Sequence, residues 1–280
     1  MNRGFLHTVV LIGLLLVAAG CSNFQKLLKS DNVDKKYQAA LQYYEKEDYY
    51  RASQLLEQVM PLLSGREEGE RARFLFANSQ FKQGDYILSA YQFKLFYETY
   101  PRSELAEEAM FLYAQSQYKQ SPTHSQDQTS TLTAIEALQE FLVRYPTSKF
   151  AEEANGMIEK LTAKLDQKAF ESARLYYQLR YFRSAVVAFT NFQRENPSSP
   201  YAEEAAFLRL DAQYRFGLES VPDKQQERFM EAVDYYQSFI DQYPESRFLR
   251  SAEQVYENTL AELEKVKKTN TANTANTANK

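Results

Sequence analysis

A ten-residue phrase built around a proline recurs along this chain and limits what it can fold into. It reads Tyr100-Pro101-x-Ser103-x-Leu105-Ala106-Glu107-Glu108-Ala109, then Tyr145-Pro146-x-Ser148-x-Phe150-Ala151-Glu152-Glu153-Ala154. It returns as Asn196-Pro197-x-Ser199-x-Tyr201-Ala202-Glu203-Glu204-Ala205 and, worn, as Tyr243-Pro244-x-Ser246-x-Phe248-Leu249-x-x-Ala252. Twelve, eight and five residues before each proline stand Ser89/Phe93/Phe96, Ala134/Leu138/Phe141, Ala185/Phe189/Phe192 and Ala232/Tyr236/Phe239. That spacing is one apolar stripe of a helix, so Phe141, Phe192 and Phe239 are expected in the core. Ala52, Leu56 and Val59 repeat the stripe once more, with Ser64 in the place of the proline.

The phrase has a local physical meaning. Proline disfavours helical geometry in the residue before it and offers no backbone donor, so the stripe helix stops there. Ser103, Ser148, Ser199 and Ser246 are then expected to cap the next helix. The paired glutamates fall near that helix's positive end, where they read as solvated charges. Repeated helix–turn–helix units of this kind predict an all-α, tetratricopeptide-like α-solenoid of about five repeats. Ser64 and Pro101 are 37 apart, whereas the later prolines are 45, 51 and 47 apart, so the later repeats carry insertions.

The predicted order along the chain is as follows. Residues 1–20 are a signal segment, 21–33 a tether, and 34–147 repeats one to three. Residues 148–267 hold repeats four and five, with a long junction helix from 148 to 179 and a closing helix. Gly217 to Gln225, around Pro222, reads as a loop insertion, and so does the polar run from Ser121 to Thr131. The Thr-Asn-Ala repeats of 268–280 read as a disordered tail.

The N-terminus carries the most specific short motif. A basic start and an apolar run from Val9 to Val17 lead to Ala18-Ala19-Gly20-Cys21. The apolar run is too short to span a bilayer. Small residues, then Gly, then the chain's only cysteine resemble a lipoprotein processing site, with Ala18 where Leu is usual. Cys21 is therefore expected to carry acyl chains and anchor the protein to a membrane, and Ser22 is compatible with the outer membrane.

Several functions are disfavoured. The net charge of −4, with no basic block, makes nucleic acid a poor partner. The two histidines, His7 and His124, cannot build a zinc site with one cysteine, so no metal is expected. No phosphate loop, nucleophile elbow or Cys–His pair is present, so neither a cofactor nor enzyme activity is expected.

One constellation offers a surface. Arg71/Phe74/Asn78/Phe81 and Glu108/Phe111/Gln115/Tyr118 occupy matching places in two successive first helices. With Tyr37 and Tyr44 they form an aromatic, amide-bearing face. It either lines a substrate groove or is core, since aromatic stripes at helical spacing commonly fill cores.

A lipoprotein processing site ahead of five such repeats, split three and two around a long junction, resembles the BamD family of outer-membrane lipoproteins of the β-barrel assembly machinery. The resemblance spans residues 18 to 267 and omits the tail. It implies a non-enzymatic scaffold on the periplasmic face of the outer membrane. Its N-terminal repeats would engage unfolded β-barrel substrates, and its C-terminal repeats would dock on a BamA-type barrel protein. The family's docking arginine falls on an alanine-rich position here. Two other classes remain open: another envelope repeat lipoprotein adaptor, and a glycan-binding outer-membrane lipoprotein. The latter lacks its usual platforms, because the chain has no tryptophan.

Overall fold

The computed structural model describes residues 23–278, with side chains described to residue 269. Cys21 and the expected signal segment lie outside the described residues. The described chain is all helical, with no strand. A short helix α1 (residues 23–28) precedes α2 (Val33–Glu45), α3 (Tyr49–Val59), α4 (Glu67–Lys82), α5 (Tyr86–Thr99), α6 (Ala106–Lys119) and α7 (Thr129–Arg144). Then come α8 (Ala151–Gln178), α9 (Phe182–Glu195), α10 (Ala202–Leu218), α11 (Pro222–Gln242) and α12 (Leu249–Ala278). Consecutive helices from α2 to α7, and from α9 to α12, pack against one another, as short connections require.

The chain divides into two compact units: Met1–Pro122 with Gln126–Leu161, and Thr123–Ser125 with Thr162–Lys280. The boundary thus falls inside α8, not at the expected 147/148. The first unit has one core, which includes Phe93, Phe96, Leu138 and Phe141. In the second, Phe170, Phe189 and Phe192 form one cluster and Leu210 and Phe239 another. Phe141, Phe192 and Phe239 are at most 3% exposed, as their stripe requires.

The proline phrase works differently from the expected cap. Each helix begins three residues after its serine, and neither Leu105 nor Tyr201 at the cap position uses its side chain. Each serine holds the turn instead: the Oγ atoms of Ser103, Ser148, Ser199 and Ser246 accept from the backbone N–H two residues on, at 2.9–3.3 Å. Three of those hydroxyls also donate to a glutamate near the start of the preceding repeat's first helix, at the same place in each. Ser148 reaches Glu107 at 2.6 Å, Ser103 binds Glu70 and Ser246 binds Glu203. These glutamates therefore link one repeat to the next and are not merely solvated charges. Glu152 makes no such link and is exposed.

Aromatic rings continue the same junction. Phe111 stacks on Phe150 (4.4 Å between centroids, 4°) and Phe207 on Phe248 (5.1 Å, 6°). In α8 the corresponding place is Gly156, so that half of the helix has no ring to offer. Phe170, fourteen residues further on, stacks on Tyr201 at 4.9 Å and 15°. From Phe170 onward α8 repeats the pattern of a first helix, with Ala173 and Tyr177 matching Ala77 and Phe81. The turn confirms the register: Glu47, Gly84 and Arg180, each ten residues after Tyr37, Phe74 and Phe170, all take left-handed φ of 60–83°. The spacing of 51 between Pro146 and Pro197 is thus the ordinary 37 plus fourteen residues of uninterrupted helix.

Three sequence expectations are corrected. The tether is partly folded: Phe24 is 6% exposed and meets Tyr43 edge-on at 5.7 Å, because Phe24, Leu27 and Leu28 form one short apolar stripe. The expected insertion at Gly217–Gln225 is mostly helix. Pro222 starts α11, where a missing N–H costs nothing. Gly217 lies within α10, where a Cβ would come within 2.5 Å of the Phe229 ring, so it permits close helix approach. The Thr-Asn-Ala segment continues α12 to Ala278, as no Gly or Pro there stops it.

Candidate functional site

The first helices of the hairpins in the first unit are α2, α4, α6 and the start of α8. On α2 and α4, Tyr37, Leu41, Arg71 and Phe74 line an open groove of about 1120 Å³ that also touches Tyr100 and Leu105. Tyr37 and Phe74 are 5% and 6% exposed, so each ring is core on one side and groove floor on the other. Phe74 meets Phe93 and Phe96 edge-on at 5.7 Å, which fixes it against the second helix of its own hairpin.

The groove rim is charged. Arg66 pairs with Asp34 at 3.1 Å and Glu68 at 3.4 Å, and Glu70 is taken by Ser103. Arg71 is exposed and forms no ion pair among the described residues. Burial raises the Tyr37 hydroxyl, Arg71 draws it back down, and Glu68 adds to the rise.

The remaining expected residues are distributed differently. Asn78 is 8% exposed, and its Oδ1 is buried without a hydrogen-bond partner. Tyr44 lies edge-on to Tyr49 at 5.4 Å, and its hydroxyl is raised to about 12 by burial, then by Tyr49 and Glu108. Phe111 is 3% exposed, and its stack on Phe150 makes it a junction residue of the core. Gln115 donates to Glu153 at 3.0 Å across to α8. Tyr118 packs partly buried against the same core. The groove therefore gathers Tyr37, Arg71 and Phe74, leaves Asn78 underbonded nearby on α4, and does not include Tyr44, Phe111, Gln115 or Tyr118.

Sequence reasoning missed the groove walls Leu41, Arg66 and Glu104. Leu41 was findable, since it stands where Asn78 and Gln115 stand in later repeats. Arg66 and Glu104 belong to turns, whose place in space no helical period reveals. The face can hold an extended apolar segment and grip one anionic group. Among the described residues no group of acidic, His or Cys side chains could hold a metal ion.

A family model described as YfiO, outer membrane lipoprotein, matches residues 29–187 and 164–267. The putative outer membrane protein assembly factor BamD of Aquifex aeolicus (strain VF5) is 29% identical over 192 residues. That match covers 68% of this chain and 62% of the relative. A solved complex of yeast Sti1, the TPR2AB domain with a pHSP90 segment, aligns with 81% of this chain and 98% of its own at 15% identity and a TM-score of 0.39. With the family match running through both units and across the whole set of repeats, the chain belongs to the YfiO family of outer membrane lipoproteins.

Proposed function

We propose that this protein is a non-enzymatic scaffold of outer-membrane β-barrel protein assembly, held to the periplasmic face of that membrane by acyl chains on Cys21. In this reading the first unit binds segments of unfolded barrel substrates, and the second docks on a BamA-type barrel protein. The observation that carries it is the groove between α2 and α4: two aromatic floors, Tyr37 and Phe74, beside the unpaired Arg71. Such a surface suits an extended segment with an aromatic side chain and a carboxylate, which a guanidinium grips with two hydrogen bonds. Affinity should be modest, on the order of 10–100 µM, because the segment must be ordered as it binds. That suits a substrate that is handed on.

The test is a titration of a labelled C-terminal barrel peptide into the full chain. Removing the peptide's last aromatic residue, or making Arg71→Ala, should each weaken binding at least several-fold. Equal binding in all arms defeats the groove. Anchoring is checked separately: Cys21→Ser should leave the outer-membrane fraction or remain unprocessed, and its unaided retention there would refute lipidation.

A further inference from the structure

The second unit holds a cation that its own residues leave without a counter-charge. Arg209, on α10, lies largely out of solvent with its guanidinium 4.2 Å from the centre of the Tyr235 ring. Its Nε is buried with no hydrogen-bond partner, and burial pushes the group below the usual arginine range. The carboxylate that acts on it through space is Glu231. Both oxygens of that carboxylate are engaged elsewhere, one by the Tyr235 hydroxyl at 3.0 Å and the other by Gln213 Nε2 at 2.9 Å. A cavity of about 280 Å³ opens beside Arg209, walled by Thr190, Gln193 and Tyr243 among others. Gln193 Oε1 is also buried and unpartnered. Arg194, on the same wall, is already paired with Glu195 at 3.0 Å.

Buried guanidinium groups are almost always paired, and a buried acceptor left unmade is costly. One cavity here presents a charged donor and a neutral acceptor, both unsatisfied. We propose that it receives an acidic residue of a partner polypeptide. The side-chain carboxylate pairs with Arg209, and the backbone N–H of the same residue donates to Gln193. A free carboxylate meets only the first requirement, and a neutral residue only the second. The inference concerns the second unit and does not rest on the groove of the first.

The experiment uses the ¹⁵N-labelled full chain and follows the Nε–H signal of Arg209, assigned by its loss in Arg209→Lys. The probes are N-acetyl-glutamate N-methylamide, its glutamine counterpart, and sodium acetate. The glutamate compound should shift the signal with a dissociation constant on the order of millimolar. Acetate should bind roughly three- to tenfold more weakly, the usual worth of one hydrogen bond, and the glutamine compound should leave the signal in place. Gln193→Leu should bring the glutamate compound down to the level of acetate without changing acetate itself. Because Arg209 variants risk poor folding, Gln193→Leu with an unchanged melting temperature carries the test alone. The inference is overturned if the glutamine compound shifts the signal as far as the glutamate compound, if acetate matches the glutamate compound, or if none of the probes moves the signal.

Discussion

The two units use one helical pattern to opposite ends. Four residues after the first-helix aromatic, the first unit has Leu41, Asn78 and Gln115, and the second has Arg174 and Asp211. Asp211 is 6% exposed, and its Oδ2 accepts both from the Tyr177 hydroxyl and from Arg215 Nε at 2.5 Å. Arg215 also lies 5.8 Å from the centres of the Tyr177 and Phe182 rings. Asn78, equally buried, leaves its oxygen unmade. The second unit fills this position with charged side chains paired within the unit, whereas the first fills it with Leu41 and two neutral amides, of which Asn78 leaves its oxygen unmade while Gln115 is bonded to Glu153. An identical scaffold position thus carries a charged cluster in one unit and a buried neutral amide in the other.

Six substitutions would break or sharpen that contrast. The common scaffold comes first: Phe141→Ala and Phe192→Ala, one in each unit, should each cost about 3–5 kcal/mol in chemical denaturation. A loss below about 1 kcal/mol would mean the unit had repacked around the gap. Next, Asp211→Ala should cost about 2–4 kcal/mol, since it strands a partly buried phenol and a half-exposed guanidinium. Asn78→Ala should stay within about 1 kcal/mol, having no hydrogen bond to lose on its oxygen. Equal costs at the two sites would erase the distinction drawn here. Smaller still, Glu107→Ala should cost about 1–2 kcal/mol through its bond to Ser148, while Glu152→Ala should lie within about 0.5 kcal/mol.

The last contrast is spectroscopic. Burial, followed by its bond to Asp211, raises the Tyr177 hydroxyl to about 12. The folded state therefore keeps a proton that the unfolded chain releases near 10, so this phenol's stabilising contribution is complete below pH 10 and is lost as pH climbs towards 12. In an alkaline absorbance titration Tyr177→Phe should delete one late-ionising phenol and flatten the fall in stability across that window. An unchanged late phase would place the proton elsewhere.

Much of the scaffold was legible because its signals are local. The stripes ending in Phe96, Phe141, Phe192 and Phe239 depend on neighbours a few residues away. The second start inside α8 was not legible. Phe170 has no proline phrase ahead of it, and a helix that simply continues gives no sign that its packing partner has changed. Pro222 misled for the converse reason, since the same residue opens a helix or breaks one according to its register. For the groove, Tyr37, Arg71 and Phe74 follow from periodicity. Phe111 does not belong with them, because its stacking partner Phe150 comes from the following repeat and only the folded chain shows that ring in place.

The folding of α1 onto the first hairpin has a further consequence for wear. A stack whose repeats grip only their neighbours frays from its ends, much as a zip opens from an unstopped edge. The first hairpin would be such an edge. Phe24 sits against Tyr43 while Arg51 lies 5.5 Å from the Phe24 ring centre, so the edge is clasped. A protease meeting this chain should therefore find its first purchase elsewhere, and amide protons of α2 should outlast those expected of an unguarded terminal repeat. Cutting the clasp, by Phe24→Ser, would turn this guarded end of the first unit into the place where it begins to come undone.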